Sequence, residues 1–347
     1  MPDTIAGSKL LQGYRDPVSE RFDTLIDWLE RVLPGSARDI TPASSDASFR
    51  RYFRVRHGGV TRIVMDAPPD REDCGRFVTL AGALGTLGLH VPEILAADLG
   101  RGFLLLTDLG ECHYLGSLDD ANAQWLYGDA LEALLRLQTR GDRSSALLPA
   151  YDGALLDQEM ALFREWFLGR HLGLDLSAQE REVLDETFGF LRERALEQPQ
   201  VWVHRDYHSR NLMHTPRANP GVLDFQDAVI GPVTYDLVSL LRDCYVSWPR
   251  QRVEVWALGY RQRLHSLGMP GVDDPGAFLG WFDLMGVQRH LKAIGIFARL
   301  NWRDGKPGYL GDIPRTLGYV LQVAERYPQL ADLGALLRRV TQGGDRS

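Results

Sequence analysis

The chain has 347 residues, which is more than a single hydrophobic core usually organises, so two domains or two lobes are expected. Hydrophobic residues make up 44% of the chain and the formal net charge is −7, so the composition is that of an ordinary globular protein and argues against a general nucleic-acid-binding protein. The three cysteines form no CxxC pair and no apolar run reaches about 18 residues, so we expect reduced thiols, no membrane span and a cytoplasmic protein.

The first hundred residues are predicted to form a small sheet with a helix packed on it. Residues 1–17 lack periodicity and are interpreted as a loose extension. Beyond the first helix, two strands are joined by the turn His57-Gly58-Gly59, and a second helix and two more strands follow. The predicted ranges are helix 18–35, strands 49–55 and 61–67, helix 72–88, and two strands within 91–111.

The remainder of the chain is predicted to be mostly helical, with three short strands inserted. Helical spacing of apolar residues occurs at 121–140, 155–172, 177–197, 250–267, 276–299 and 313–326. The short strands are VWVH (201–204), NLMH (211–214) and GVLDF (221–225). We therefore predict an α+β protein with a β-rich N-lobe at 18–108, a larger helical C-lobe at 109–347, and a hinge near Thr107–Glu111.

Polar side chains that suit phosphoryl transfer lie at the ends of the three short strands. His204-Arg205-Asp206 is followed by Asn211 at the interval of the protein-kinase pattern H-R-D-x-x-x-x-N, and Asp224-Phe225-Gln226 comes after the next hairpin. We predict that Asp206 is the base for an acceptor hydroxyl and that His204 braces its loop. Asn211 and Asp224 would hold Mg²⁺, which prefers carboxylate and amide oxygens. The alternative is that these residues are turns and caps, since Asp and Asn favour turns.

The stretches HRDYHSRNLM and LDFQDAVIGPVTYDLVSLLRD resemble the aminoglycoside phosphotransferase and choline-kinase-like superfamily. Within it, SSDASFRRYFRV, IVMDAPPDREDC and GIFARLNWRDGKPGYL resemble the anomeric N-acetylmuramate/N-acetylglucosamine kinases of cell-wall recycling. The resemblance covers about residues 20–330. It implies a bilobal protein-kinase-like fold with ATP in the cleft between the lobes. It also implies phosphorylation of the C1 hydroxyl of an amino sugar, whose 1-phosphate a nucleotidyltransferase would convert for peptidoglycan synthesis.

The phosphate-binding segment departs from the protein-kinase pattern, because no Gly-rich loop is present. SSDASFRRYF (44–53) occupies its place, where hydroxyl, backbone N–H and guanidinium groups could cradle phosphate. A plain hairpin with solvent-facing arginines is the alternative. The predicted phosphate-binding residues are Ser44, Ser45, Ser48, Arg50 and Arg51.

The lysine of the third kinase strand is also missing. That strand carries Met65-Asp66, and no lysine lies between Lys9 and Lys292. We expect Arg51 or Arg54 to take its role, because a guanidinium also neutralises phosphate. The adenine is expected to contact backbone groups of Thr107, Asp108 and Leu109.

The substrate contacts are predicted from position and from side-chain chemistry. The candidates are His208, Arg210, Asp227, Arg299, Asn301 and Trp302. Trp302 could stack on a sugar or simply pack, and Asp227 could bind a sugar hydroxyl or cap a turn. The stretch 289–310 holds more arginine than acid, which favours a neutral or anionic sugar over a cationic antibiotic.

The sequence is also compatible with two other functions. One is a kinase of an aminoglycoside or another small hydroxylated metabolite. The other is a non-catalytic pseudokinase module, which the missing lysine favours but the presence of Asp206, Asn211 and Asp224 disfavours.

Overall fold

The computed structural model describes residues 18–36, 39–44 and 49–342. The chain divides into two units, the first comprising the residues up to Ala83 together with Val91–Gly110, and the second comprising Leu84–His90 and the chain from Glu111 onward. The predicted extension at 1–17 and the predicted phosphate contacts Ser45 and Ser48 lie outside the described residues. Within the described part of the chain, no helix is long and apolar enough to cross a membrane.

The first unit is an antiparallel five-stranded sheet with the strand order β1-β2-β3-β5-β4. Its elements are α1 Val18–Val32, β1 Ile40–Ser44, β2 Arg51–His57, β3 Val60–Asp66, most of α2 Cys74–Thr86, β4 Ile94–Asp98 and β5 Phe103–Thr107. Both helices and four of the strands were predicted from the sequence and are confirmed; β1 was not predicted. The β2–β3 turn is Gly58-Gly59, and both residues have a positive φ (59° and 78°), as a tight hairpin with the twist of the strands requires.

Helix α1 packs on one face of this sheet. Side chains alternate between the two faces of a strand, so only every second strand residue can contact the helix. Leu25, Trp28 and Leu29 of α1 form a buried core with sheet residues. The sheet residues of this core are Val55, Val64, Phe103 and Leu105. Met65 of β3 lies on the opposite face and is also buried.

The second unit is mainly helical. Its helices are α3 Tyr114–Ser117, α4 Ala123–Arg140, α5 Gly153–Leu162, α6 Ala178–Leu196, α7 Tyr235–Leu241, α8 Arg250–Ser266, α9 Pro275–Asp304, α10 Ile313–Ala324 and α11 Ala331–Gln342. A π-helical segment, Phe163–His171, continues α5, and short 3-10 helices occupy Pro307–Asp312 and Pro328–Leu330. Six of these helical regions were predicted and are confirmed, including the capping box of Ser177 and Glu180. Helices α3, α7 and α11 were not predicted.

Helix α9 is the central element of this unit. It packs against α5, α6, α7, α10 and the π-helical segment, and most of its residues from Phe282 to Ala298 are buried. Gly295 permits α9 to approach the end of α5 closely, because a Cβ added to Gly295 would lie 2.4 Å from the carbonyl carbon of Leu162. Residues on α9 are therefore held within the interior of the unit.

The short strands of the second unit form two separate antiparallel pairs. They are β6 Gln200–Val203, β7 Leu212–Met213, β8 Gly221–Val222 and β9 Val229–Pro232. The β7–β8 pair is the hairpin predicted from the sequence. The partner of β6 is β9, a strand that was not predicted. The polar residues between these strands lie in the loops that the two pairs bring together.

Candidate active site

The loop after β6 is held in place by two buried carboxylates. Asp236, in the first turn of α7, accepts the backbone N–H groups of His204 (2.6 Å) and Arg205 (3.0 Å). Asp243, just beyond α7, accepts the N–H of Ser209 at 2.9 Å. Burial raises the pKa of Asp236 to about 7, although its two N–H donors act to lower it. The loop that carries Asp206 is thus fixed at both ends by hydrogen bonds to its own backbone.

His204 connects this loop to the segment that carries Asp224. Its Nε2 lies 3.0 Å from the Leu223 carbonyl, and its Nδ1 lies 3.3 Å from the backbone nitrogen of Asp206. These contacts assign the ring proton to Nε2, which donates to the carbonyl, while Nδ1 accepts. Burial lowers the pKa of His204 to about 4, so the ring is neutral at pH 7.

Asn211 and Asp224 lie side by side. The Asn211 amide nitrogen donates to the Asp206 carbonyl at 3.0 Å and lies 3.4 Å from Asp224 Oδ2. Gln226 donates to the other Asp224 oxygen at 2.6 Å. Asp224 is exposed and has a φ of 62°, in the left-handed region that non-glycine residues rarely occupy and that is frequent at functional sites.

These two side chains suit Mg²⁺ better than a metal that needs all of its ligands from the protein. Carboxylate and amide oxygens suit this cation, and Mg²⁺ commonly takes only one or two protein ligands and completes its shell with phosphate and water. Residues 18–36, 39–44 and 49–342 contain no group of three or more His, Cys, Asp or Glu side chains arranged to hold a metal ion.

Asp206 lies half-buried among cations. Burial acts to raise the pKa of its carboxyl group, but nearby positive charges, with Lys292 first and then Arg289 and Arg205, act to lower it, and the net shift is downward. The carboxylate is therefore ionised at neutral pH, so it can accept a hydrogen bond and a proton from a substrate hydroxyl.

A pocket of about 100 Å³ opens beside Asp206. It is lined by Asp206, His208, Tyr235, Cys244, Tyr245, Arg289, Lys292, Ala293, Ile296 and Phe297. Half of these residues come from α9, so the buried central helix forms one wall of the pocket. The lining contains two strong cations and one carboxylate.

The predicted substrate residues lie at different distances from this pocket. His208 lines it and packs edge-on against Tyr245. Arg210 lies between Tyr245 and Tyr309, with its guanidinium carbon 4.0 Å and 5.0 Å from the two ring centres. Asp227 is exposed, and its backbone carbonyl accepts from Arg205 at 3.4 Å.

The three predicted residues at the end of α9 lie further along the helix. Among the described residues, the pocket lining reaches Phe297 and does not include Arg299, Asn301 or Trp302. Trp302 is 58% exposed, so its ring is not a packed core residue of this unit.

In the first unit, each predicted arginine is paired with an acid. Arg50 donates to Glu72 at 2.9 Å. Arg51 pairs with the buried Asp66, which also accepts from Arg21 of α1. The two contacts of Asp66 fasten helix α1 to strands β2 and β3.

Arg54 lies on the other face of the sheet from Arg51. It pairs in register with Ile63 and therefore shares a face with Met65, which belongs with Asp66 to the stretch where the kinase pattern has lysine. Its guanidinium donates to Asp108 (2.7 and 3.2 Å) and to the Gly110 carbonyl. Burial acts to raise the pKa of Asp108, but hydrogen bonds from Arg54, the Gly110 N–H and Thr61 lower it.

The segment predicted to contact adenine continues from β5. The N–H and the hydroxyl of Thr107 are both hydrogen-bonded to the backbone of Glu93. Asp108 and Leu109 follow outside the strand and are half-buried.

Comparison with protein-family models matches residues 39–278 to "Phosphotransferase enzyme family". The chain belongs to this phosphotransferase family. It is 49% identical over 334 residues to an N-acetylmuramate/N-acetylglucosamine kinase of Pseudomonas putida, which covers 93% of this chain and 97% of that protein. A kinase of the same name from Neisseria meningitidis is 41% identical and covers 92% and 95%.

Solved structures of similar fold include ADP-bound aminoglycoside phosphotransferase APH(2'')-Ib, with a TM-score of 0.59, 16% identity and coverage of 87% of this chain and 97% of that chain. Choline kinase LicA of Streptococcus pneumoniae gives a TM-score of 0.60, 12% identity and coverage of 88% and 100%. These likenesses confirm the predicted α+β protein-kinase-like fold.

Sequence reasoning missed several charged residues that the structure places around Asp206 and its loop. Glu159, Arg289 and Lys292 surround Asp206 or its loop, but none of them lies in a recognised motif. One signal was available: Arg289 and Lys292 are charged residues spaced i, i+3 within a mostly apolar helical stretch, so they share one face of α9. A buried face with two cations indicates an anion or a partner carboxylate nearby.

Proposed function

We propose that this phosphotransferase is an ATP-dependent kinase that phosphorylates the C1 hydroxyl of N-acetylmuramate and N-acetylglucosamine and releases the sugar 1-phosphate. The main support is the pair of kinases of that name, which are 49% and 41% identical to this chain over nearly its full length. The arrangement of Asp206, Asn211 and Asp224 in one unit supports the chemistry. The cytoplasmic location and the nucleotidyltransferase that would use the product stay predictions.

Asp206 would orient the acceptor hydroxyl and take its proton as the new O–P bond forms. Its low pKa makes it a weak base, so its larger contribution would be to hold the hydroxyl in line for attack. Asn211 and Asp224 would hold Mg²⁺, which when bound neutralises charge on the transferring phosphate. His204 would position both segments without contacting substrate.

The nucleotide contacts belong to the proposal as well. Arg54 is the stronger candidate to replace the missing lysine, because it shares a face with Met65, whereas Arg51 lies on the face of the sheet that α1 covers. The backbone groups of Asp108 and Leu109 are the better candidates for adenine, since the backbone N–H of Thr107 already donates to the Glu93 carbonyl. Ser44, Ser45, Ser48 and Arg50 stay predicted phosphate contacts.

The charge of the pocket disfavours a cationic antibiotic as substrate. Arg289 and Lys292 line it, and Asp206 is its one carboxylate. An aminoglycoside carries several ammonium groups and would require acidic side chains there. A pseudokinase is disfavoured because the residues for the base and both metal ligands are present.

The proposed function is tested by incubating the purified protein with Mg²⁺–ATP and N-acetylmuramate, N-acetylglucosamine, glucose, kanamycin or choline. ADP release measures turnover, and phosphorus NMR locates the new phosphate. We expect phosphate on C1 of the two N-acetyl sugars. Turnover of kanamycin or choline alone would overturn the sugar assignment, and phosphate at another sugar position would overturn the C1 assignment.

A further inference from the structure

Arg289 is a buried cation without a carboxylate partner. The residue is only 6% exposed. Within the described part of the chain, its Nε has no hydrogen-bond partner, and its one side-chain hydrogen bond is a weak contact of Nη1 with the Cys244 sulfur at 3.8 Å. Burying an unpaired charge is costly, so such a residue is retained where an anion arrives to pair with it.

The other buried cations around Asp206 differ from Arg289 in this respect. Lys292 pairs with Glu159 at 2.8 Å and donates to the Tyr235 hydroxyl at 2.9 Å. Arg205 pairs with the same glutamate. Arg289 makes no ion pair with any described residue, although Asp206 and Asp243 are near enough to act on its charge. Glu159 is therefore the counter-ion of Lys292 and Arg205, whereas Arg289 has room to pair with an anionic group of a ligand.

The pocket also limits which anion can pair with Arg289. Arg289 and Asp206 line the same pocket, so a ligand whose anionic group pairs with Arg289 also places a neighbouring part beside Asp206. Ala293, Ile296 and Phe297 form an apolar wall beside the cation. A substituent with both a carboxylate and a methyl group matches this lining.

We propose that Arg289 binds the lactyl carboxylate of N-acetylmuramate and thereby sets the preference between N-acetylmuramate and N-acetylglucosamine. The inference rests on the proposed function. The lactyl ether, which bears a methyl and a carboxylate, is on C3 of the sugar, two ring carbons from C1. A group that binds it would lie in the same pocket as the base that acts on the C1 hydroxyl. N-acetylglucosamine has a plain hydroxyl at C3, so it makes no ion pair with Arg289.

A phosphate group of the nucleotide is the other anion that could reach an unpaired guanidinium. The two occupants predict different kinetics. A phosphate contact is used with every sugar, so its loss lowers turnover of both sugars alike. A carboxylate contact is used with N-acetylmuramate alone, so its loss changes the ratio between the sugars.

The experiment compares kcat/KM for the two sugars in the wild type, Arg289→Met and Arg303→Met. Arg303 lies on the same helix but is exposed and pairs with Asp304, so it is a matched control. We expect the ratio of N-acetylmuramate to N-acetylglucosamine to fall at least about tenfold in Arg289→Met, mainly through KM, because charged hydrogen bonds are the strong ones. Arg303→Met should keep the wild-type ratio.

A second substrate pair tests the contact without relying on one variant. N-acetylmuramate and its primary amide differ only in the carboxylate, and wild type should prefer the acid by about tenfold or more. Arg289→Met should lose that preference, and Arg289→Lys should keep part of it, because lysine retains the charge but not the two-pronged geometry.

The outcomes separate this inference from the proposed function. If the ratio of kcat/KM between the two sugars is unchanged in Arg289→Met, whether or not both values fall, the proposed role of Arg289 is overturned while the kinase activity stays established. Wild-type preference for the amide over the acid would overturn it even if Arg289→Met does not fold. If wild type phosphorylates neither sugar, the proposed function and the inference both fail.

Discussion

At the scale of single residues, the environment of Asp206 decides what its carboxylate can do. Burial acts to raise the pKa of this group, but the charges of Lys292, Arg289 and Arg205 act to lower it, and the net shift is downward, so it is ionised whenever the protein is near neutral pH. Its loop is fixed through backbone hydrogen bonds to Asp236 and Asp243. A fixed, ionised acceptor suits the orientation of a hydroxyl for attack on phosphorus.

Asp206→Asn should abolish most turnover while preserving nucleotide binding. Asparagine keeps the shape of the side chain but cannot take a proton, and loss of a general base lowers kcat by about 10²–10⁴-fold. The measurements are kcat by ADP release and nucleotide affinity by calorimetry. A kcat within about tenfold of wild type would remove Asp206 from the proposed chemistry.

His290 should make the protein less stable as the pH falls. It is buried, lies 2.8 Å from the Arg242 carbonyl and stacks on Tyr319, and burial lowers its pKa to about 3. Because the folded state holds the ring neutral, the unfolded chain binds a proton first, and stability present above pH 6.5 is lost as the pH falls towards 3.

The test compares the pH dependence of unfolding in wild type and His290→Gln, in which the amide can still donate to the carbonyl. Wild type should lose about 2 kcal/mol more than the variant between pH 7 and pH 5, measured by urea unfolding at each pH. Parallel curves would show that His290 is not held neutral. His204 adds a similar loss in both proteins, so it cancels in the comparison.

At the scale of elements, helix α9 organises the packing of the second unit and forms one wall of the pocket beside Asp206. It crosses α5 so closely that a Cβ on Gly295 would meet the backbone of Leu162, and its buried face carries Arg289 and Lys292 to the pocket. The helix itself follows from the spacing of its apolar residues. Which of its sides faces the pocket follows from the helices packed around it.

Gly295→Ala should destabilise the protein by about 1–3 kcal/mol, because the methyl group overlaps backbone that cannot move aside cheaply. Gly280→Ala on the same helix is the matched control, since a Cβ there meets nothing within 4 Å. The control should gain about 0.4–1 kcal/mol through a less flexible unfolded chain. Urea unfolding measures both variants, and equal effects of the two would contradict the packing described for α9.

At the scale of the whole molecule, nucleotide binding should be coupled to stability. A ligand that binds only the folded chain stabilises it by about 2.7 kcal/mol at 100 times its Kd. We expect Mg²⁺–ATP to raise the unfolding temperature of wild type, and chelation of the metal to remove part of that rise.

Asp224→Asn should reduce this thermal shift, because it removes the carboxylate proposed to hold the metal. Asp175→Asn is the control, since its carboxylate is fully exposed on the second unit. Scanning calorimetry with and without nucleotide gives the comparison. A full wild-type shift in Asp224→Asn would place the metal elsewhere.

Local patterns in the sequence predicted much of this fold. The helical repeats, the Gly58-Gly59 hairpin and the β7–β8 hairpin depend on residues close together in the chain, so their signals are local. The pairing of β6 with β9 was missed because Val229–Pro232 is short and its partner lies some thirty residues earlier. Strand pairing across such a distance has no local signature.

The sequence by itself determined the fold class, the family and the motif residues Asp206, Asn211 and Asp224. The motif residues were recognisable because the chemistry of phosphoryl transfer requires those side chains at characteristic intervals. Only the tertiary structure decided which cations surround Asp206, which of them share Glu159, and that Arg289 has no such partner among the described residues. Burial and charge pairing depend on elements far apart in the chain, and folding alone brings those elements into contact.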